Sequence, residues 1–375
     1  MVQEQRDGWP GAVRRVVVKV GSRALVGDRL RLDEGSISGL VEQIVGVRAG
    51  GRQVVLVSSG AIAAGLGELG WTQRPRDLPG LQAAAAAGQA RLIGLYRDAF
   101  ARHGAVVAQV LLTHSDLRAR ERHLNARNTL SRLLGAGVVP LVNENDTVAV
   151  DEIRVGDNDL LSALVANLIS ADLLVLLTTA DGLLSRPPGE GGKLIARVES
   201  ITAEIRAMAG GAGSSVGTGG MRSKLQAAEM VSRCGIPLVI ANARLPGVLP
   251  RILAGETVGT LFDPGSARMA GRKRWIAFFH RPRGQITVDR GAAGALRFRG
   301  SSLLAIGVKS VAGDFERGDP VSILDEEGLE IARGLVNYPA PQLRLICGRR
   351  SDQIATILGH CEYEEVIHRD NLVLA

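Results

Sequence analysis

Apolar residues in the first two thirds of the chain fall into short, nearly unbroken runs separated by stretches of mixed character. Six runs stand out: "VVVKV" at 16–20, "VVLVSS" at 54–59, "VVAQVLL" at 106–112, "VVPLVN" at 138–143, "LLVLLTT" at 173–179 and "IPLVIAN" at 236–242. Runs of Val and Leu this short, without polar alternation, predict parallel strands covered on both faces. Helical periodicity fills the gaps, as in "LVEQIVGVRA" (40–49), "GQARLIGLYRDAFARHG" (88–104) and "NDLLSALVANLISA" (158–171). Strand and helix alternate to about residue 262, which predicts a doubly wound α/β domain with a mainly parallel sheet. Beyond "FDPGSARMAGRKRW" the pattern changes to short alternating pieces, "GQITVD", "SLLAIGVKSVAG", "DPVSILDEEG" and "EIARGLVNY", with a helical "SDQIATILG" near the end. That predicts a small β-rich domain. The expected organisation is a first domain over 1–263, a basic linker over 264–282 and a second domain over 283–375.

Composition narrows the class. The 375 residues are 46% hydrophobic and 22% charged, ordinary for a globular protein, whereas aromatics supply only 3%. The three cysteines, Cys234, Cys347 and Cys361, form no CxxC pair, which argues for a reducing compartment and against a structural zinc site. The first residues lack an apolar targeting core and no apolar run approaches membrane-spanning length, so a cytoplasmic location is expected. Charge is unevenly spread. Residues 264–300 hold nine Lys or Arg against one Asp, whereas 301–375 hold seven against twelve acidic residues. The basic run reads either as a solvated connector or as a surface for a polyanion.

The candidate chemistry sits where the predicted strands end. In doubly wound sheets ligands gather at the carboxyl ends of the strands. Polar residues mark those ends: Lys19 and "GS", Ser58-Ser59-Gly60, Asn143-Glu144-Asn145-Asp146, and Thr178-Thr179. Lys19 interrupts an apolar run, where an unpaired ammonium is costly, so it either snorkels outward or has an anionic partner. The stretch "GTGGMRSKLQAA" (217–228) is a glycine turn feeding a helix, an arrangement that offers backbone N–H groups to phosphate. It is not a Walker A loop, which needs Gly directly before Lys-Ser/Thr. Phosphoryl transfer relies on positioning and cationic stabilisation, and Lys19 and Lys224 are the two lysines able to flank a transferring group. Asp157, Asn158 and Asp159 open a predicted helix, where one of them suffices as a cap. "NENDTVAVDEI" adds Asn143, Asn145 and Asp146 directly after a strand, where acidic residues suit an ammonium, the lysines or a magnesium shell. The six histidines show no metal-ligand spacing and no GxSxG is present, which speaks against zinc and serine hydrolysis. A carboxylate acceptor needs no general base, because a glutamate side chain ionises near pKa 4.3.

Taken in order, "VVKVGS", "SSGAIAAG", "HLNARNTL", "VVPLVNENDTVA", "VGDNDLLSALVA" and "GTGGMRSKLQAA" resemble the glutamate 5-kinase branch of the amino acid kinase family. The tail, with "GSSLLAIGVKSVAGDFERGD", resembles a PUA domain. The resemblance implies ATP-dependent phosphorylation of the γ-carboxylate of L-glutamate, the first step of proline biosynthesis. It implies Lys19 and Lys224 as lysines contacting the transferring phosphate, organised by Asp159. Ser59, Asp146 and Asn158 match glutamate-binding positions. Lys19, Thr178, Thr179 and the stretch Thr218, Gly219, Gly220, Met221, Arg222, Ser223 and Lys224 match nucleotide-binding positions. ATP is the implied co-substrate, with Mg2+ held mainly through its phosphates and no protein metal site. L-proline is the implied feedback inhibitor, the loop 68–82 a candidate cover over the ligand, and a homo-oligomer with RNA binding by the tail the implied associations. Two positions depart from the family pattern: Thr179, where Asp is frequent, and Arg23, where a small hydroxyl residue is usual. A kinase of the same fold acting on acetylglutamate or carbamate, and an RNA-binding protein, are the competing readings.

Overall fold

The computed structural model describes residues 13–27, 32–149, 158–186, 190–209, 220–264 and 282–374. The chain divides into two compact units, Met1–Arg268 and Met269–Ala375.

The first unit is built on an eight-stranded sheet: β1 (Arg15–Val20), β2 (Gln53–Ser58), β3 (Val107–Leu112), β4 (Val139–Glu144), β5 (Leu173–Thr178), β6 (Arg197–Val198), β7 (Leu238–Asn242) and β8 (Thr260–Phe262). Its order is β3-β4-β2-β1-β5-β7-β8-β6. Every pair from β3 across to β7 is parallel, and β8 then runs antiparallel to β7. All six predicted runs are strands. The short β6 and β8 carry too few apolar positions to be read from periodicity.

Helices α1 (Ser22–Leu25), α2 (Glu34–Ala49), α3 (Ala61–Glu68), α4 (Leu78–Ala101), α5 (His114–Arg118) and α6 (Arg120–Gly135) belong to the first half. Helices α7 (Asn158–Leu168), α8 (Ala203–Met208), α9 (Met221–Ser232) and α10 (Val248–Leu253) follow. Strand periodicity sends Val16, Val18 and Val20 to one face, where they join a core with α2, α4 and α10. Val17 and Lys19 therefore point to the opposite face, against which α7 packs. This alternation is what brings Lys19 toward the start of α7.

The stretch 68–82 differs from a simple loop. Helix α4 begins at Leu78, because Asp77 accepts a hydrogen bond from the Gly80 N–H and Pro79 falls in the first turn, where its missing N–H costs nothing. The connection is thus confined to residues 69–77. Helix α4 also touches α3 backbone to backbone: a Cβ on Gly88 would lie 1.8 Å from the Ala61 carbonyl oxygen, and one on Gly65 1.7 Å from that of Ala84. Since α3 begins directly after the Ser59-Gly60 turn, this contact fixes that turn. Gly88→Ala is expected to cost about 1–3 kcal/mol through overpacking, measured as a lower denaturation midpoint with unchanged slope.

The second unit contains β9 (Gly284–Val288), β10 (Leu303–Leu304), β11 (Val308–Gly313), β12 (Pro320–Leu324), β13 (Glu330–Leu335), β14 (Glu365–Ile367) and β15 (Leu372–Leu374). A five-stranded sheet of order β11-β9-β12-β13-β15 is accompanied by the β10–β14 pair. Helices α11 (Arg290–Arg299), α12 (Ala340–Ile346) and α13 (Ser351–Leu358) complete it around Ile286, Leu296, Phe315, Ile323, Leu343 and Ile354. The predicted strands and α13 are present, whereas α11 and α12 have no counterpart in the apolar pattern. The signal for α11 was its caps: Asp289 accepts from the Ala292 N–H and Gly300 closes the helix at φ 59°. The basic residues 265–281 lie outside the described residues. Among the described residues no helix is long and apolar enough to cross a membrane.

Candidate active site

Lys19 and Lys224 meet on one carboxylate. Lys19 Nζ lies 2.6 Å from Asp159 Oδ1, and Lys224 Nζ donates to Asp159 Oδ2 at 2.9 Å. The Ser223 hydroxyl donates to the same Oδ2 at 2.7 Å. All three charged groups are buried, Asp159 completely. Burial alone would raise the Asp159 carboxyl, but the two ammonium groups outweigh it and hold its pKa well below the ordinary carboxylate range. Two ammonium groups thus share one carboxylate at the floor of a cleft.

A relay of amides runs beside this cluster. Gln89 on α4 accepts from Asn143 Nδ2 at 2.7 Å, and Asn143 Oδ1 accepts from Asn158 Nδ2 at 3.0 Å. Asn158 Nδ2 is also 2.8 Å from Ser59 Oγ. Among the described residues, the side-chain oxygen of Asn158 is buried and has no hydrogen-bond partner, leaving one acceptor for a ligand. Gly60, next in the chain, has φ 113°, in the left-handed region that only glycine adopts at little cost. It turns the chain out of β2 and into α3 directly under the cleft.

The third group is acidic. Strand β4 ends in buried Glu144, whose Oε1 is 3.3 Å from His114 Nδ1. Asp146 follows two residues later. Burial pushes the Asp146 carboxyl up to about 7, Glu144 adds to the rise, and Arg74 opposes it. Arg74 comes from the 69–77 connection, so the part of the suspected covering loop that reaches the cleft is this guanidinium.

One cleft gathers these groups. Lys19, Arg23, Ser59, Arg74, Asn143, Glu144, Asp146, Asn158, Thr178, Thr179 and Lys224 all line it. Of the residues singled out from sequence, Lys19, Ser59, Asp146, Asn158, Thr178, Thr179 and Lys224 are therefore brought together. Asp159 lies behind the two lysines and does not line the cleft. Gly220 caps α9, while Met221 and Arg222 form its first turn; Ser223 turns its hydroxyl inward to Asp159. Thr218 and Gly219 lie outside the described residues. Both departures from the family pattern, Arg23 and Thr179, border the cleft. Sequence reasoning assigned no role to Arg74, Glu144 or Gln89. Glu144 was visible inside "NENDTVA", but nothing in its spacing distinguishes a cleft carboxylate from a surface one.

Strand order sets the distances. β4, β2, β1 and β5 are consecutive, and strands lie roughly 4.8 Å apart, so the ends of β4 and β1 are separated by about 10 Å. The acidic end (Glu144, Asp146) and the cationic end (Lys19, Lys224) are thus one small molecule apart, with Ser59, the residue following β2, between them. Thr178 and Thr179 stand on the far side of β1, at the end of β5.

Comparison with known proteins places the chain in a family. Residues 14–242 match the amino acid kinase family and residues 284–358 match the PUA domain. Glutamate 5-kinase of Moorella thermoacetica is 51% identical over 363 residues, 96% of each chain. That of Ralstonia nicotianae is 50% identical, covering 96% of this chain and 97% of its own, and that of Pseudomonas putida (strain W619) 48%, covering 96% and 98%. The chain belongs to the amino acid kinase family, within which it groups with the glutamate 5-kinases and carries a C-terminal PUA domain.

Proposed function

We propose that the protein transfers the γ-phosphoryl group of ATP to the γ-carboxylate of L-glutamate, giving γ-glutamyl phosphate and ADP, the first step of proline biosynthesis. The observation that carries this reading is the separation of an acidic end from a doubly cationic end across one short cleft. Glutamate spans it with its α-ammonium toward Asp146 and its side chain toward Lys19. Ser59 and the side-chain oxygen of Asn158 lie between. A γ-carboxylate oxygen attacks the terminal phosphorus as the bond to the bridging oxygen of ADP breaks. The acceptor is already ionised, so no residue has to remove a proton. Lys19 and Lys224 oppose the negative charge spread over the transferring oxygens, in a site preorganised by Asp159 and Ser223.

The nucleotide is assigned to the other side of β1. Thr178, Thr179 and the start of α9, where backbone N–H groups point outward, are the groups that receive it. Thr218 through Lys224 contribute as the glycine turn entering α9. Mg2+ is assigned to the nucleotide phosphates, since both Asp159 oxygens already face an ammonium. It supplies charge neutralisation on the phosphates. L-proline shares the α-carboxylate and charged amine of glutamate but lacks the γ-carboxylate, so it occupies the same contacts without reacting. A cytoplasmic location, from the cysteine usage and the apolar pattern, and domain limits at 263 and 283, from the change in that pattern, complete the proposal, together with a homo-oligomer and RNA binding by the PUA domain, which rest on the resemblance.

A coupled ADP-release assay tests the substrate. L-glutamate is expected to turn over, N-acetyl-L-glutamate and carbamate are not, and Asp146→Ala raises the KM for glutamate at least tenfold more than that for ATP. In the same assay the half-inhibiting concentration of proline climbs with glutamate. Equal turnover of glutamate and its N-acetyl derivative would refute the role of Asp146.

A further inference from the structure

Glu144 is a buried carboxylate that the phosphoryl transfer described above does not use. It borders the cleft, is almost entirely shielded from solvent, and is held by a histidine from a different element. The sheet register explains the contact. Leu112 pairs with Glu144 across β3 and β4, so the chain leaving β3 turns at Thr113 and sets His114 over the Glu144 side chain. Thr113 fixes that turn by a reciprocal cap, its side chain accepting from the Asp116 N–H while Asp116 accepts from the Thr113 N–H. His114 is therefore delivered to Glu144 by a locked helix start rather than by a mobile side chain.

Two carboxylates thus stand at the end of β4, Glu144 and Asp146, and both line the same cleft. Among the described residues, the charged groups acting on Asp146 are Glu144, from β4, and Arg74, from the 69–77 connection. His114, from α5, acts on Glu144. Two carboxylates two residues apart at one end of a cleft suit a cation, and the α-ammonium of the proposed substrate is that cation.

We propose that Glu144, seated by His114, is a positioning residue for the substrate's α-ammonium, acting with Asp146 as the second carboxylate of a two-carboxylate clamp. The inference rests on the assignment of this cleft to an amino-acid substrate. It has a consequence for protons. Burial and the neighbouring Glu144 charge hold Asp146 at about 7, so the empty cleft retains a proton on it through much of the neutral range. An arriving ammonium favours the ionised carboxylate, and the Asp146 O–H proton is given to solvent as glutamate binds. No covalent bond in the substrate changes. Below about pH 7 each binding event must first displace that proton, so apparent affinity for glutamate weakens as pH falls; well above 7 it becomes independent of pH.

The experiment uses the full-length protein and L-glutamate itself. Calorimetric titration at pH 7 in two buffers of different ionisation enthalpy counts the protons released. Roughly half a proton per glutamate is expected, the fraction held by a group titrating near the working pH. The KM for glutamate is expected to rise about tenfold per pH unit well below 7 and to be flat above about 8, with the KM for ATP following neither trend. In Glu144→Gln the break in the glutamate profile moves to lower pH and the plateau KM rises at least about fivefold, because one carboxylate is gone, while kcat at saturating glutamate stays within about threefold. His114→Ala, which leaves Glu144 in place without its support, raises the plateau KM with a smaller displacement of the break. A purely structural Glu144 would alter stability and leave the position of the break unmoved. A Glu144→Gln enzyme with wild-type break and plateau overturns the proposal; should that variant not fold, a His114→Ala enzyme with wild-type plateau KM for glutamate overturns it instead. Failure to bind or phosphorylate glutamate at any pH would instead remove the functional reading on which the clamp depends.

Discussion

Lys224→Ala and Lys19→Ala are each expected to lower kcat at least about 100-fold, equivalent to about 2.7 kcal/mol of transition-state stabilisation. The two ammonium groups converge on Asp159 at 2.9 and 2.6 Å, and both lysines line the cleft. In water a lone charge contributes little at this range. In a cleft floor from which solvent is excluded, the same charge acts through a lower effective dielectric. The loss should appear in kcat with glutamate and ATP both saturating, because the interaction strengthens as charge spreads over the transferring oxygens. Folding has to be checked by a cooperative thermal transition, since removing either lysine also disturbs the buried cluster. Near-normal kcat in a folded Lys224 or Lys19 variant would exclude the two-lysine mechanism.

The second large effect is expected at Asp159. Replacing it by alanine leaves two buried ammonium groups facing each other without their shared counter-ion. Breaking a buried ion pair by removing one member costs about 3–5 kcal/mol. In a unit of this size that corresponds to a fall of about 10 °C in Tm, accompanied by loss of activity. The pH dependence has a definite sign. The Asp159 carboxyl titrates below its unfolded value, so its stabilisation is fully present above the ordinary carboxylate range and is lost as pH falls through and below it. Asp159→Asn is therefore expected to flatten the acid limb of the stability curve. A triple replacement, Lys19→Met with Asp159→Leu and Lys224→Met, removes charge and counter-charge together. It is expected to fold with near-wild-type or greater stability and to be inactive. That contrast separates the catalytic work of the cluster from its contribution to the fold. An Asp159→Ala protein with unchanged Tm would show that the lysines find other partners, and the cluster would lose its role as organiser.

The elements legible in the sequence were those whose signal is local. Parallel strands buried on both faces must be apolar throughout, so β1, β2, β4, β5 and β7 read directly as Val- and Leu-rich runs, and the polar residues that end them mark the cleft edge of the sheet; β3 also read as a strand but, at the sheet edge, is largely half-buried or exposed instead of covered on both faces. Lys19 was conspicuous because an apolar run has no use for an ammonium without a partner. The glycine turn and Lys224 announced themselves by composition, although Thr218 and Gly219 of that turn lie outside the described residues. Less visible were segments whose structure depends on caps rather than on periodicity. Helix α4 starts ten residues before its apolar pattern becomes clear because Asp77 and Pro79 start it, and α11 is a glycine-containing helix delimited by Asp289 and Gly300.

Tertiary structure alone decided which polar residues meet. Asp159 is 140 positions from Lys19 and 65 from Lys224, and no spacing rule connects them. They meet because β5 pairs with β1 instead of with its predecessor in sequence, and because the two-residue period of β1 turns Lys19 toward α7. Glu144 acquires His114 through the β3–β4 register, and Arg74 reaches the cleft from a connection shortened by the early start of α4. A sequence states where charge and flexibility are placed along the chain. Pairing buried charges requires knowing which strand ends become neighbours, and that follows from how the whole sheet minimises exposed apolar surface and unpaired backbone, a property of the assembled layers and of no single segment.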